Sequence, residues 1–446
     1  MDEYLNFNIL LNYKGGSMKS FVKYLLVLVL MLTFAVPVIA DSEVEVTGQV
    51  RVRGEMQRKS FDANNDHFQD FTMMRSRINI KAKVDNNAYA FVQFQDSRTF
   101  GDYTQFGDIQ SSGLNDGKNV DMHQAYIEAT IWDNDEKYIG FKGGRFEFNW
   151  GSQRLLGSVD WHNVGRSWEG GMLWYKADDY TFTLATLKAL ELNDTDYNRD
   201  FDIYAGLLNL KELNLDLMAL YELDSDTTAL ATDIKSLKRW TFAGYYTREY
   251  NQFTFDLDFA YQTGNMPDTR ITPAPVPNSS EFDIAAYMVA FEVGYDLEND
   301  YNGTFAFGID LASGDDDLTD SDYKVFDDLY YTGHKFNGYM DYFLHGGPNG
   351  LMNLYAKAGF DITDGWRIGG NFHIFRSAED YVSNFDGTLT KSIGSEFDLT
   401  VSTTRIKGIN MKWGASMFIA NDDYAGNTDD AKQSGFWIYE QTTINF

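Results

Sequence analysis

The sequence of 446 residues has no cysteine, which excludes a disulfide framework, a thiolate metal site and a cysteine nucleophile. Proline is scarce, six residues against 38 glycines. Positive charge is also scarce, with Lys+Arg 37 against Asp+Glu 66 and a formal net charge of −29. That balance excludes a generic nucleic-acid binder, which needs a basic face. It does not point to disorder, because 43% of residues are apolar. What is abundant is aromatic: 28 Tyr and 34 Phe bring the aromatic share to 16%, a composition that β-rich chains favour.

One long apolar run stands near the start. Lys19 and Lys23 precede an apolar stretch from Leu25 to Val36, and Val38-Ile39-Ala40 ends in a small residue. This is the pattern of a secretory signal peptide cut after Ala40. The run is short for a spanning helix, which needs ~20 apolar residues. Met18 opens an ordinary signal peptide, so residues 1–17 read as a misassigned extension, residues 18–40 as the signal and residues 41–446 as one domain.

From residue 41 the pattern has a period of two. Val44, Val46, Val50, Val52 and Met56 alternate with Glu45, Thr47, Gln49, Arg51, Arg53 and Glu55. The same alternation returns at Ile78, Ile80, Ala82 and Val84, and at Ala125, Ile127, Ala129 and Ile131. Such alternation means half-buried strand. Short polar turns, such as Asp85-Asn86-Asn87 and Thr363-Asp364-Gly365, alternate with longer loops rich in Asp, Gly and Ser. Short turns on one side and long loops on the other are the signature of a transmembrane antiparallel β-barrel. The count is about eighteen strands, an even number as bacterial barrels have. No proline falls inside an expected strand; Pro267, Pro273, Pro275 and Pro277 share one connection. The chain ends on Phe446, with Ile444, Ile438 and Phe436 on its face. This is the end that the outer-membrane assembly machinery reads, and Glu440 is the exception on that face.

The polar face of each strand then points into the lumen. Nine of the sixteen arginines lie between Arg51 and Arg166. Arg51 and Arg53 on one strand and Arg75 and Arg77 on the next face inward, with Lys81 and Lys83 below. Guanidinium holds carboxylate in a fork and stays charged, so this wall reads as an anion-selective constriction. The bland reading is that Glu45, Glu55, Glu128 and Glu147 neutralise it. At Gly143-Gly144 the lipid-facing phase moves from Ile139 and Phe141 to Phe146 and Phe148, as a β-bulge would make it. That slip would turn Arg145, Glu147 and Asn149 inward.

Several stretches resemble the alginate-export-type outer-membrane porins. They are Met74-Arg75-Ser76-Arg77, Phe91 to Arg98, and His123-Gln124-Ala125-Tyr126 with Gly144-Arg145-Phe146-Glu147 and Trp150 to Gly170. A last block runs from Ala312 to Asp317 and from Phe326 to Asp341. The resemblance covers most of the chain after residue 40. It implies a monomeric barrel of about eighteen strands in a Gram-negative outer membrane, with a lumen narrowed by inward loops and used for passive passage of a polyanion. Carried over by position, it implies Arg75, Arg77, Gln93, Gln95, Arg98, Arg145, Arg154 and Arg166 as lumen or constriction residues.

No cofactor is expected. Calcium at an outer loop would use Asp62, Asn64 and Asp66, or Asp315, Asp316 and Asp317. The first group lacks the glycine and the final acid of an EF-hand, having His67 and Met73 there. Similar residues would bridge to lipopolysaccharide. Residues 314–350 form the longest connection, and its Tyr342-Phe343-Leu344 suits a loop folded into the barrel. The leading function is a porin for anionic small solutes or oligosaccharides. The alternatives are a plugged adhesive or structural barrel and, with no nucleophile motif around its six histidines, an outer-membrane hydrolase.

Overall fold

The computed structural model describes residues 43–61, 67–101, 120–134, 136–191, 200–225, 236–267, 281–317, 319–344, 346–426 and 434–446. The proposed extension and signal peptide, and Asp62, Asn64 and Asp66, lie outside them. Nineteen strands are numbered in chain order. Eighteen of them, each antiparallel to the next, form one closed barrel. Closure is made by β19 (Ser434–Asn445) pairing with β1 (Val44–Arg58), from Gln49↔Asn445 to Arg58↔Phe436. The remaining strand, β14 (Asp322–Tyr323), is a two-residue piece lying parallel to β12 (Glu281–Asp296).

All eighteen expected strands are present, with altered ends. β5 (Tyr138–Phe146) stops short of residue 150, β16 (Trp366–Val382) runs past its expected end at 376, and β17 (Leu389–Thr403) begins before the expected 396 and stops short of 406. Pro267 does enter a strand, as the last residue of β11 (Phe253–Pro267), a position where little ladder remains to be broken.

The alternation sorts side chains as lipid and lumen require. Phe242, Phe259, Phe307, Phe372, Phe397 and Ile438 are all exposed on the outer face. A water-soluble protein rarely leaves so broad an apolar band uncovered. Among the described residues no helix is long and apolar enough to cross a membrane; the strands do the crossing. Glu440 keeps its outward phase with no slip in the β1–β19 ladder, and accepts a 2.6 Å bond from the Thr442 hydroxyl. The ring of Phe446 lies over Gly48, where a Cβ would stand 2.5 Å from it.

Among the described residues, two connections fold into the barrel. The first inner loop, residues 147–167, joins β5 to β6 (Trp168–Lys176). The second, residues 313–350, joins β13 (Thr304–Ala312) to β15 (Leu351–Thr363). They zip together through their backbones: Tyr330 N donates to Leu155 O at 2.9 Å, Gly157 N to Tyr330 O at 2.9 Å and Thr332 N to Gln153 O at 3.0 Å. Two apolar clusters fasten them to the wall. Phe148, Trp150, Leu155 and Leu156 join Phe326 and Leu329 against Trp168, Leu187, Ile203, Leu220 and Met288. Met340 and Phe343 pack on Phe375, Phe418, Trp437 and Tyr439. Of the apolar Tyr342-Phe343-Leu344 segment, Tyr342 and Phe343 are therefore packed inside, as expected, while Leu344 is exposed.

Candidate functional site

β1 and β2 (Gln69–Asp85) pair with Arg51 directly opposite Arg75. Inward alternation brings Arg51, Arg53, Arg75 and Arg77 together. Four adjacent guanidiniums repel one another, so something must compensate them. The compensation is mostly backbone. Arg51 donates to Asp160 O (2.6 Å), Trp161 O (3.2 Å) and His162 O (3.0 Å). Arg53 donates to Trp161 O at 2.7 Å, and Arg75 to Asp160 O at 3.1 Å and His162 O at 3.4 Å. On β3 (Ala88–Thr99), Ser97 donates to Asn163 O at 2.8 Å and Gln95 to Val164 O at 2.8 Å. Arg77 reaches the same Val164 O at 3.4 Å. Five consecutive carbonyls, 160 to 164, are thus held by side chains of one wall.

Carboxylates supply the rest. Glu55 binds Arg53 at 2.6 Å, Asp160 binds Arg75 at 2.7 Å, and Glu147 lies 3.2 Å from Arg77. Among the described residues no carboxylate forms an ion pair with Arg51 within 4 Å, and Asp160 acts on it only at longer range. Four guanidiniums therefore face three carboxylates. Enclosure by the lumen wall pushes the Asp160 carboxyl up although its side chain is 66% exposed, but Arg75, Arg51 and Arg77 outweigh this and hold it below the usual carboxylate range. Arg53 also lies 3.9 Å over the Trp161 ring, which stacks on His334 of the second loop at 4.0 Å and meets Tyr439 edge-on at 5.1 Å.

The arginines face inward as expected but do not stand free in the lumen. Arg51, Arg53, Arg75 and Arg77 are all buried under the first inner loop, Arg75 being 1% exposed. Gln93 bonds Asn79 at 2.8 Å, and Lys81 sits 4.1 Å over Tyr89. Glu147 also meets His123 at 2.9 Å. Ser167 Oγ lies 3.2 Å from both nitrogens of that ring, so neither is set as its base, and His123 is buried.

Two expected lumen residues belong to the other face. Arg98 shares the phase of Phe94, opposite Gln93, Gln95 and Ser97, and binds Asp96 on its own strand. Arg145 shares the phase of Phe141 and pairs with Glu169 at 2.7 Å. No slip occurs at Gly143-Gly144: the ladders to β4 (Asp121–Asp133) and β6 run unbroken there. Gly144 instead adopts φ +133 against Ala125 O, and Phe146 enters the core at 1% exposure. The aromatic run 146–150 thus marks the entry of an inner loop, not a lipid face.

Across the lumen Arg154 takes Asp310 through two bonds of 3.0 and 2.9 Å, with Asp258 at 3.4 Å. Arg166 donates to the carbonyls of Gly157, Tyr330 and Tyr331, so it binds the two loops together. Asp315, Asp316 and Asp317 do not converge: Asp316 takes Lys324, and Asp317 accepts from Thr319. Among the described residues no group of three His, Cys, Asp or Glu is placed to hold a metal ion. Sequence reasoning missed Glu396 and Asp398, both fully buried on β17. Glu396 accepts from Met340 N of the second loop at 2.8 Å, and Asp398 from Ser416 at 2.5 Å. Their i, i+2 spacing in a strand was the available signal.

A barrel with two docked inner loops and a basic wall can be compared with known proteins. The family model described as alginate export matches residues 42–436. The chain belongs to the alginate export family. Family and fold are those of Gram-negative outer-membrane porins rather than of enzymes. Among solved structures, Pseudomonas aeruginosa OccK8 (OprE) is similar with a TM-score of 0.53 and 10% identity, over 91% of this chain and 98% of that one. Pseudomonas aeruginosa OccK2 (OpdF), in complex with glucuronate, gives 0.53 and 10% over 91% and 98%. Acinetobacter baumannii OccAB4 gives 0.52 and 11% over 90% and 98%. At these identities the likeness concerns the fold of this alginate export family member. A search of curated proteins found no match.

Proposed function

We propose that this member of the alginate export family lets small anionic solutes or oligosaccharides diffuse through its lumen, guided by the arginine wall of β1 and β2. The observation that carries the reading is the charge excess there, four guanidiniums against three carboxylates within 4 Å. Guanidinium replaces water around a solute carboxylate through directed bonds, and several weak sites let the solute enter and leave. That a barrel of the same fold was solved with glucuronate supports the solute class. On this reading the protein is a monomer in the outer membrane, signal-exported and folded by the assembly machinery through Phe446, with lipopolysaccharide around its outer rim.

The test is single-channel current from residues 41–446 in a planar bilayer under a salt gradient. An anion-favouring reversal potential that falls in the Arg75→Ala, Arg77→Ala double variant supports the reading. Cation selectivity in the wild type, or no change in the variant, overturns it. A plugged barrel is favoured by one observation, the packing of both inner loops against the wall, and would show no conductance.

A further inference from the structure

Among the described residues, the carboxylate most open to water on the arginine wall is Asp160. Arg75 is 1% exposed by its side chain, yet the Asp160 side chain bound to it is 66% exposed. Asp160 Oδ1 lies 2.7 Å from Arg75 Nη2 and 3.7 Å from Arg77 Nη1, so a single carboxylate oxygen faces two guanidiniums. Of the other donors on the Arg75 head, Nη1 is on the Asp160 and His162 carbonyls and Nη2 also on Gln49 at 2.8 Å, while Nε is buried with no hydrogen-bond partner among the described residues. A solute arriving from the lumen therefore meets a carboxylate already seated on the guanidiniums that would attract it.

Three features make this seat exchangeable. The Asp160 backbone is moored independently, because its carbonyl accepts from Arg51 and Arg75 whatever the side chain does. The side chain is mostly in water already, so swinging it outward costs little desolvation. The preceding residue, Val159, holds φ +54, a left-handed conformation that is a genuine outlier for a β-branched residue. The chain is turned at some cost where Asp160 is presented.

We propose that Asp160 is a built-in stand-in for the solute: its carboxylate holds the Arg75–Arg77 site until the carboxylate of an acidic solute exchanges with it. The inference rests on the anion-passage reading and deepens it by naming the residue that occupies the Arg75–Arg77 site before the solute does. The exchange swaps one carboxylate for another on the guanidiniums, trading the Asp160–Arg75 ion pair for one with the solute, and no covalent bond is made or broken. It also keeps solute binding weak. Affinity for a site that is open for only a fraction of the time falls by that fraction, which is what passage requires.

The experiment uses residues 41–446 in planar bilayers, as wild type, Asp160→Asn and Asp160→Ala. Glucuronate is the probe and glucose the uncharged control. Removing the resident carboxylate should lower the half-blocking glucuronate concentration about tenfold, as expected for a competitor seated ~90% of the time. Asp160→Glu should block like the wild type, and glucose should not discriminate among the variants. Equal block by glucuronate in all four proteins, in a barrel whose wild type prefers anions, overturns this inference alone. A cation-selective wild type overturns the anion-passage reading, and this inference falls with it. Calorimetry of glucuronate binding to the detergent-held barrels decides the matter for a barrel that does not conduct: tighter binding by the Asn and Ala variants is expected, and equal binding overturns it.

Discussion

Removing Arg51 and Arg75 together should release the first inner loop, whereas removing either alone should not. The reason lies in how the carbonyls are shared. Asp160 O and His162 O each accept from both Arg51 and Arg75, and Trp161 O accepts from Arg51 and Arg53. Arg51→Met deletes three charged hydrogen bonds but leaves every carbonyl with one donor. Hydrogen bonds to charged groups contribute ~1.5–3 kcal/mol each, yet the lost bonds are partly offset by relief of repulsion among neighbouring guanidiniums. A single variant should then cost about 2 kcal/mol. The double variant strips Asp160 O and His162 O of their guanidiniums, and an orphaned buried acceptor costs ~1–3 kcal/mol. The coupling beyond additivity should reach about 2–3 kcal/mol, at the upper end of what double-mutant cycles give for residues sharing a network. Urea unfolding in lipid vesicles measures the cycle, and single-channel recording reads the loop as larger and noisier conductance in the double variant. Additive free energies with wild-type conductance would refute the mooring.

Other outcomes follow from the same geometry. Phe343→Ala should cost ~3–5 kcal/mol, because this ring of the second loop is buried against Phe375 and Phe418, and unfolding in vesicles measures it. Burial pushes the Asp328 carboxyl of the second loop up to about 7. Its folded form keeps a proton that the unfolded chain loses near ~3.9, so stability should fall as pH rises from about 4 to 7 and then level off. Asp328→Asn should flatten that slope in a pH series of thermal unfolding. Asp160 works in the opposite sense: its depressed carboxyl stabilises above ~3.9, and that contribution is lost as pH falls through its lower folded value. Gly144→Ala should hinder folding outright, since a Cβ there would lie 2.3 Å from Ala125 O at φ +133, and the loss of the heat-modifiable folded band on a gel would show it.

The barrel was legible because lipid on one side and lumen on the other force every strand into strict alternation. Val44 to Arg58 shows it plainly, with apolar and charged residues taking turns. Counting by two also places Arg98 correctly: from Gln93 and Gln95 the inward phase leads to Ser97, and Arg98 falls outside it. The family resemblance had placed it inward. Arg145 went astray for another reason. The run Phe146, Phe148, Trp150 looks like a lipid face, and sequence alone does not distinguish lipid from the packed underside of a loop. The grip on carbonyls 160 to 164 left no trace in the sequence, because a backbone acceptor has no residue type.

That last fact has a consequence for change over generations. A wall that holds a loop by its peptide groups places little demand on which amino acids the loop carries. The carbonyls of Asp160, Trp161 and His162 carry this hold, to which the Asp160 carboxylate and the Trp161 ring add contacts with Arg75 and Arg53. Such a tip can be rewritten residue by residue while its path stays fixed, as a tool head is exchanged on one handle. Diversification of what this barrel admits can therefore start at positions 160 to 162, with the arginines that anchor them left untouched.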